Sequence, residues 1–345
     1  MQDIWTYLQG TKKPILIYGM GDGCDKIISV CHEKKIPIAG IFSSDEYVRD
    51  KVIHGFRLMS LSQAKEKFSD MIVLLAFGVF REDLMEKIVS LSEEVELYAP
   101  EVPLFGGGLF DRAFYEENLS SIREVEEMLY DEKSKKIFRD LVEYKLTGKI
   151  APLLKNTSFR EDDLVSLVPF GKGDVYVDLG AYDGDTVLEW HRLFPDHGEI
   201  FAMEPNSKTF KKLLENTKEI PHVNLLPFAA WDKNETLLFN GKSGRSAALS
   251  DQGKTEVVAK RIDSLCSRAG FIKFDVEGAE KEAIEGAKKL IRDSRPSLCI
   301  SAYHRTEDLF AIPLQVKKIL PEYRVYLRHT PYIPAWDTHF YFVCR

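Results

Sequence analysis

No C-x-x-C pair occurs in this chain, and its five cysteines, Cys24, Cys31, Cys266, Cys299 and Cys344, are odd in number. A disulfide framework and a zinc site are both disfavoured on that ground, and the thiols are expected to pack as small buried groups. Apolar runs approaching the roughly 20 residues of a membrane span are missing. The start, MQDIWTYLQGTKK, lacks the basic stretch and apolar core of a signal peptide, so the expected location is the cytoplasm. An excess of positive charge is missing too. The 345 residues carry a formal net charge of −7, which argues against a broad nucleic-acid interface, because phosphate binding calls for a concentrated basic surface. Neither the six-residue G-x-G-x-x-G of dinucleotide enzymes nor a complete P-loop is present, so a pyrophosphate-bearing ligand is disfavoured. No internal repeat or low-complexity region interrupts the chain.

What is there is ordinary globular material, 44% apolar and 29% charged, enough for two domains with separate cores. The most informative run is VYVDLGAYDGDT, Val175 to Thr186. A hydrophobic strand ends in Asp178, Gly180 and Gly184 let the backbone pass close to a ligand, and a helix can begin at Asp185 or Thr186. The next strand, Glu199 to Met203, places Glu204 about twenty residues after the glycine turn, followed by Pro205 and Asn206. A carboxylate there can accept both ribose hydroxyls of a nucleoside. Strand Val223 to Pro227 runs into FAAWD, where Ala230 can border an adenine and Asp232 can accept from its exocyclic amine. Strand Phe271 to Asp275 runs into VEGAE. Four successive strands thus end in polar or small residues on one edge of a parallel sheet, where open α/β folds bind ligands. A nucleoside ligand without a pyrophosphate, such as S-adenosylmethionine, fits this pattern.

In order and spacing, VDLGAYDGDT, AMEPN, PFAAWD, VVAKRIDSL and IKFDVEGAE followed by Gly286-Ala287 resemble the FkbM family of S-adenosylmethionine-dependent methyltransferases over roughly residues 157 to 345. The resemblance implies a Rossmann-like α/β domain, a mostly parallel seven-stranded sheet with helices on both faces. It also implies methyl transfer to a hydroxyl on a sugar, glycan, polyketide or other secondary metabolite. Asp178, Gly180, Ala181, Tyr182, Gly184, Thr186, Glu204, Pro205, Asn206, Ala230 and Asp232 would then hold the cofactor. Tyr182 departs from the Asn that many relatives carry.

The N-terminal third has its own βαβ pattern: strand Pro14 to Tyr18, a turn Gly19-Met-Gly-Asp-Gly23, a helix to about Lys35, and strand Ile36 to Phe42. Met71 to Phe77, Arg81 to Ser90 and Val95 to Tyr98 add a strand, a helix and a strand. A second, smaller Rossmann-like domain is expected. Cys24 stands where a dinucleotide fingerprint has its third glycine, and the nearest acid is Asp45, so NAD is poorly supported. ILIYGMGDG and IAGIFSSD resemble small nucleotide-sugar-binding domains of bacterial sugar-modifying enzymes. Docking or dimerisation without a ligand is the competing expectation. Between the halves, Phe114 to Lys149 has apolar residues at helical spacing, read as two helices, and Gly106-Gly-Gly108 is a candidate hinge.

Displacement at a sulfonium methyl needs the acceptor oxygen held close and its proton removed. Asp275 and Glu277 follow the fourth strand, and His304 follows the next one, so these three are the catalytic candidates. Asp275 as an N-cap, and Glu277 and Glu280 as acids at the start of a helix Ala279 to Leu290, are the structural alternatives. Lys273 is read as an ion-pair partner. Asp275, Glu277 and His304 would suit Mg²⁺, but carboxylates two apart are common without metal and no metal ligand is assigned. Asn240 to Ser246 is expected to form a lid, and Arg245, Arg305 and Arg328 to meet an anionic acceptor. The expected organisation is residues 1–112 as the small domain, 113–156 as a helical linker and 157–345 as the methyltransferase domain, compatible with a homo-oligomer. A non-catalytic nucleotide- or nucleotide-sugar-binding or assembly protein on the same fold is the alternative.

Overall fold

The computed structural model describes residues 2–240, 248–249 and 255–344. The chain opens with a helix that the sequence pattern did not disclose, α1 (Ile4–Gly10), capped by the Asp3 carboxylate, which accepts from Thr6 N at 3.0 Å. There follow β1 (Ile15–Tyr18), α2 (Asp22–Glu33), β2 (Gly40–Ser43), β3 (Val52–Ile53), β4 (Phe56–Arg57), β5 (Met59–Ser60), α3 (Leu61–Lys67), β6 (Ile72–Leu75), α4 (Glu82–Glu94) and β7 (Glu96–Tyr98). Five of these strands form a parallel sheet in the order β5-β2-β1-β6-β7. Its central strands, ILIY and IVLL, are buried on both faces, which is why they read as continuous apolar runs. Strand β2 starts at Gly40 rather than Ile36, because Lys35 takes a left-handed φ of 56° and Pro37 can give no ladder donor.

Three helices, not two, join the sheets: α5 (Arg112–Glu117), α6 (Leu119–Met128) and α7 (Glu132–Thr147). Asp111 and Asp131 cap the first and last by accepting from Phe114 N and Ser134 N. A short α8 (Arg160–Leu167) precedes the second sheet.

The chain continues through β8 (Tyr176–Leu179), α9 (Asp185–Leu193), β9 (Ile200–Met203), α10 (Ser207–Thr217), β10 (Val223–Leu226), β11 (Ala229–Ala230), β12 (Glu235–Asn240), β13 (Ala248–Leu249), β14 (Thr255–Lys260), β15 (Phe271–Phe274), α11 (Glu280–Gly286), α12 (Lys288–Ser294), β16 (Ser297–Ser301), α13 (Asp308–Ile319), β17 (Arg324–His329) and β18 (Thr338–Val343). Seven strands pair in the order β10-β9-β8-β15-β16-β18-β17. Those from β10 to β16 are parallel, while β18 is antiparallel to both its neighbours. Strands β11 to β14 form a small separate sheet. No helix among the described residues is long and apolar enough to cross a membrane.

The helix expected over Ala279 to Leu290 is broken at Ala287. Asp263 accepts from Lys289 N and Leu290 N and so caps a second helix, while Gly286 lies against the Trp231 carbonyl so closely that a Cβ would come within 1.9 Å of it. The cap position of α11 belongs to Ala279, so Asp275 is not an N-cap. Of the cysteines, Cys344 is only half-buried.

The joining helices cap the second sheet. Arg328 on β17 reaches out of the sheet to Asp131 at 2.7 Å and Asp163 at 3.2 Å, and Leu327 N donates to Ser134 Oγ. One apolar core accordingly runs from α4 and β6 through α6 and α7 to α11 and α13. The carboxyl ends of the two parallel sheets meet: Val79, beyond β6, exchanges backbone hydrogen bonds of 2.7 and 2.9 Å with Ile333.

Candidate active site

A cavity of about 750 Å³ lies at the carboxyl edge of β9, β8, β15 and β16, the crevice in which open α/β sheets take their ligands. At one end is the turn after β8. Gly180 has φ 85°, and a Cβ on it would stand 1.9 Å from the Asp275 carbonyl, so the ends of β8 and β15 approach as only glycine allows. Tyr182 also has positive φ, 48°. Asn adopts that conformation more readily than Tyr, which gives a backbone reason for the Asn that the resemblance implies there. Gly180, Tyr182 and Thr186 line the cavity, together with Glu204, Pro205, Asn206 and Ala230.

Glu204 is 8% exposed and sits at the end of β9, where Oε1 accepts from Asn206 N at 2.7 Å. Burial pushes its carboxyl up to about 7, against the lowering effect of backbone donors and of Lys273. It is therefore poised to lose its proton when a ligand offers hydrogen-bond donors.

Four expected cofactor residues do not line the cavity. Asp178 is fully buried beneath it, holding Lys273 Nζ at 3.1 Å and accepting from Thr186 Oγ1 at 2.5 Å. Ala181 and Gly184 pack into the turn itself, and Gly184 lies against Thr217 and Leu213. Asp232 lies past the wall that Phe228, Ala229 and Ala230 form, and its backbone carbonyl accepts from Arg261.

At the other end stand Asp275 and Glu277, where the chain turns through a left-handed pair, Glu277 at φ 55° and Gly278 at φ 89°. Asp275 accepts from Ser301 Oγ at 2.8 Å and Tyr303 OH at 3.2 Å. Burial would raise its carboxyl, but Lys273, His304 and these donors outweigh that and hold it well below the usual range. His304 is 1% exposed, with Nδ1 2.9 Å from Glu280 Oε1 and Nε2 facing Glu277 at 3.5 Å and Asp275 at 3.8 Å. Burial works against its charge, yet the three carboxylates prevail and raise it to about 10. That shift favours the imidazolium, a form without the lone pair that the expected base would use. Asp275, Glu280 and His304 lie close enough together to hold a metal ion, but Glu280 already occupies one nitrogen and the proton the other.

Two of the three arginines expected at the acceptor are engaged elsewhere. Arg328 is locked between Asp131 and Asp163, and Arg305 donates to the Gly278 carbonyl at 2.6 Å. Arg245 and residues 241–246 of the expected lid lie outside the described residues. Gly106 to Gly108 is held rather than free, since Thr306 Oγ1 donates to the Gly108 carbonyl and Phe105 N to that of His304. Sequence reasoning missed Phe80, Leu104, Phe159, Tyr303 and Trp336 in the cavity wall. Only Tyr303, next to His304 at a strand end, carried a local signal.

Residues 178–332 match the model of the Methyltransferase FkbM domain. No curated protein matches the chain. Among solved structures, Methyltransferase FkbM from Methylobacillus flagellatus KT is similar over 98% of this chain and 92% of that chain, at 19% identity and a TM-score of 0.75. At that identity the likeness speaks for the fold. Two others align over about half of this chain with low scores and add nothing to it. Precorrin-6y C5,15-methyltransferase from Geobacter metallireducens GS-15 has 16% identity, covers 54% and 90% of the two chains and scores 0.34. Aeropyrum pernix fibrillarin in complex with S-adenosyl-L-methionine has 15% identity, covers 51% and 69% and scores 0.33. The strand order, the glycine turn and the family match agree, and residues 178–332 are similar to the Methyltransferase FkbM domain.

Proposed function

We propose that this protein is an O-methyltransferase that uses S-adenosylmethionine and acts on a hydroxyl of a sugar, glycan or secondary metabolite, in the cytoplasm. When bound, the cofactor supplies an electrophilic methyl group. The observation that carries the reading is that one cavity takes in both the Gly180 turn with Glu204 and the Asp275–Glu277 pair. The residues fit the group: a buried carboxylate that gains from hydrogen-bond donors suits a ribose diol, the close approach at Gly180 leaves room at the strand ends, and Phe228, Ala229 and Ala230 suit an adenine face.

In this reading Asp275, held ionised, accepts a hydrogen bond from the acceptor hydroxyl and orients its oxygen. Glu277 would take the proton as the new carbon–oxygen bond forms and the methyl–sulfur bond breaks, the sulfur leaving as a neutral thioether. In this scheme His304 touches neither reactant; its positive charge offsets the repulsion between the two carboxylates and keeps both beside it, making it a positioning residue rather than a base. Because its ring is already ion-paired, Mg²⁺ has no role in this scheme, and chelation is expected to leave transfer unchanged. We adopt residues 1–112, 113–156 and 157–345 as the working division, with the first unit presenting the acceptor.

Calorimetric titration with S-adenosylhomocysteine, run beside Glu204→Ala, tests the reading. Binding in the micromolar range that weakens by 10- to 100-fold in the variant is expected, the loss of about 1.5–3 kcal/mol that removal of a hydrogen bond to a charged group brings. No binding by the folded wild type would sink it.

A further inference from the structure

The mouth of the cavity is ringed by aromatic side chains drawn from both sheets. Phe80, on the loop after β6, is 61% exposed and stacks on Tyr332 of the β17–β18 connection, with ring centroids 5.4 Å apart and planes 25° apart. Trp336 continues the surface 5.7 Å from Tyr332. Phe159, 70% exposed, also borders the opening. A monomeric protein rarely leaves several large rings in water around one opening unless something covers them. The two halves of this rim are fixed to each other. The Val79–Ile333 hydrogen bonds flank the stacked pair, and a Cβ on Gly78 would come within 3.0 Å of both Trp336 and Tyr332. Leu104 joins the wall from the same side, its carbonyl held by Lys26 Nζ at 3.0 Å.

Charge decides what can lie there. Asp185, Glu189, Glu204, Asp275, Glu277 and Asp337 line the cavity. Of its cations, Arg160 is paired with Glu189 at 2.8 Å, Lys273 with Asp178 at 3.1 Å, and His304 is enclosed by carboxylates. Among the described residues, no lining arginine or lysine is left over for a phosphate or a uronate. A cationic acceptor is disfavoured for a different reason, since it would set a second positive charge beside a sulfonium. What remains is a neutral molecule with an apolar face for the rings and a hydroxyl edge for the carboxylates.

We infer that the acceptor is an uncharged sugar ring, neither a sugar phosphate nor a nucleotide sugar, and that it is seated on an aromatic platform shared by the two sheets, with Phe80 of the N-terminal unit as a specificity-determining residue. The inference rests on the methyltransferase reading for the direction of the hydroxyl edge. It departs from the expectation of a separate nucleotide-sugar site in the N-terminal unit, because the carboxyl edge of that unit is turned onto this cavity.

Saturation-transfer NMR on the full chain tests it, with and without S-adenosylhomocysteine. The probes are uncharged methyl glycosides and short neutral oligosaccharides, set against glucuronate, glucose 1-phosphate, UDP-glucose and glucosamine. A neutral glycoside is expected to bind and to quench Trp336 fluorescence. Phe80→Ala should weaken it at least fivefold and Phe80→Tyr restore it, while the affinity for S-adenosylhomocysteine changes less than twofold in both. Absence of binding by every neutral probe, tighter binding of any charged probe, or indifference to Phe80→Ala would overturn the inference. Failure of the methyltransferase reading shows separately, as absence of S-adenosylhomocysteine binding, and the glycoside arm without that ligand still decides the platform.

Discussion

Glu204 and His304 both shift upward, but for opposite reasons: burial outweighs the neighbours at Glu204, and the neighbours outweigh burial at His304. Burial dominates at Glu204, raising it to about 7, so the folded chain without ligand holds a proton that the unfolded chain has lost above its ordinary carboxyl range. That contribution to stability declines as pH rises from about 4.5 towards 7. Ligand binding has the reverse sign if the diol selects the carboxylate. S-adenosylhomocysteine should therefore bind more tightly at pH 8 than at pH 6 in the wild type, a trend that the Glu204→Ala variant of the titration above should lose. At His304 the surrounding carboxylates dominate and the value rises to about 10. A base raised in the folded state stabilises fully below its ordinary value near 6.5, and the effect disappears as pH climbs through 10. His304→Gln should thus unfold more easily than wild type at pH 6 to 8, with the difference shrinking by pH 10.5 in denaturant titrations. Turnover should fall by more than tenfold with KM for S-adenosylmethionine little changed, a split that mere loss of stability would not give.

The junctions between β8 and its turn, and between β15 and α11, are where backbone geometry makes the site. Gly180→Ala places a methyl group 1.9 Å from the Asp275 carbonyl at a left-handed position, and a cost of about 3 kcal/mol is expected from overpacking and strain together. Urea titration should show the fall in midpoint, and S-adenosylhomocysteine affinity should fall with it. A variant as stable as wild type would mean that the two strand ends part without penalty. Much of this was legible in the chain: VYVDLGAYDGDT announces strand, glycine turn and helix start, and all three are found at β8, Gly180 and α9. The break at Ala287 was not, because Asp263 caps α12 from 26 residues away, beyond any periodicity in the helix itself.

Taken as a whole, the molecule is held together by the second sheet's dependence on what precedes it. A fragment 157–345 would strip α7 from β17, expose Val325 and Leu327, and leave the buried Arg328 guanidinium without Asp131. Such a fragment is expected to melt more than 10 °C below the full chain in calorimetry, since removing one partner of a buried charge pair typically costs several kcal/mol. Equal melting temperatures would show that the working division falls at an autonomous boundary.

By itself the sequence determined the two α/β patterns, the parallel strands with their apolar runs, and the positions of Gly180, Glu204 and Asp275 at strand ends, because hydrophobic period and turn chemistry act over a few residues. Whether a carboxylate faces the cavity or lies beneath it was settled by partners far along the chain: Lys273 draws Asp178 into the sheet and leaves Glu204 in the wall. The protonation of His304, the engagement of Arg305 and Arg328, and the joining of Phe80 to Tyr332 depended likewise on contacts formed only when distant segments pack. Burial and charge pairing are properties of the space around a group, and a linear pattern does not contain that space.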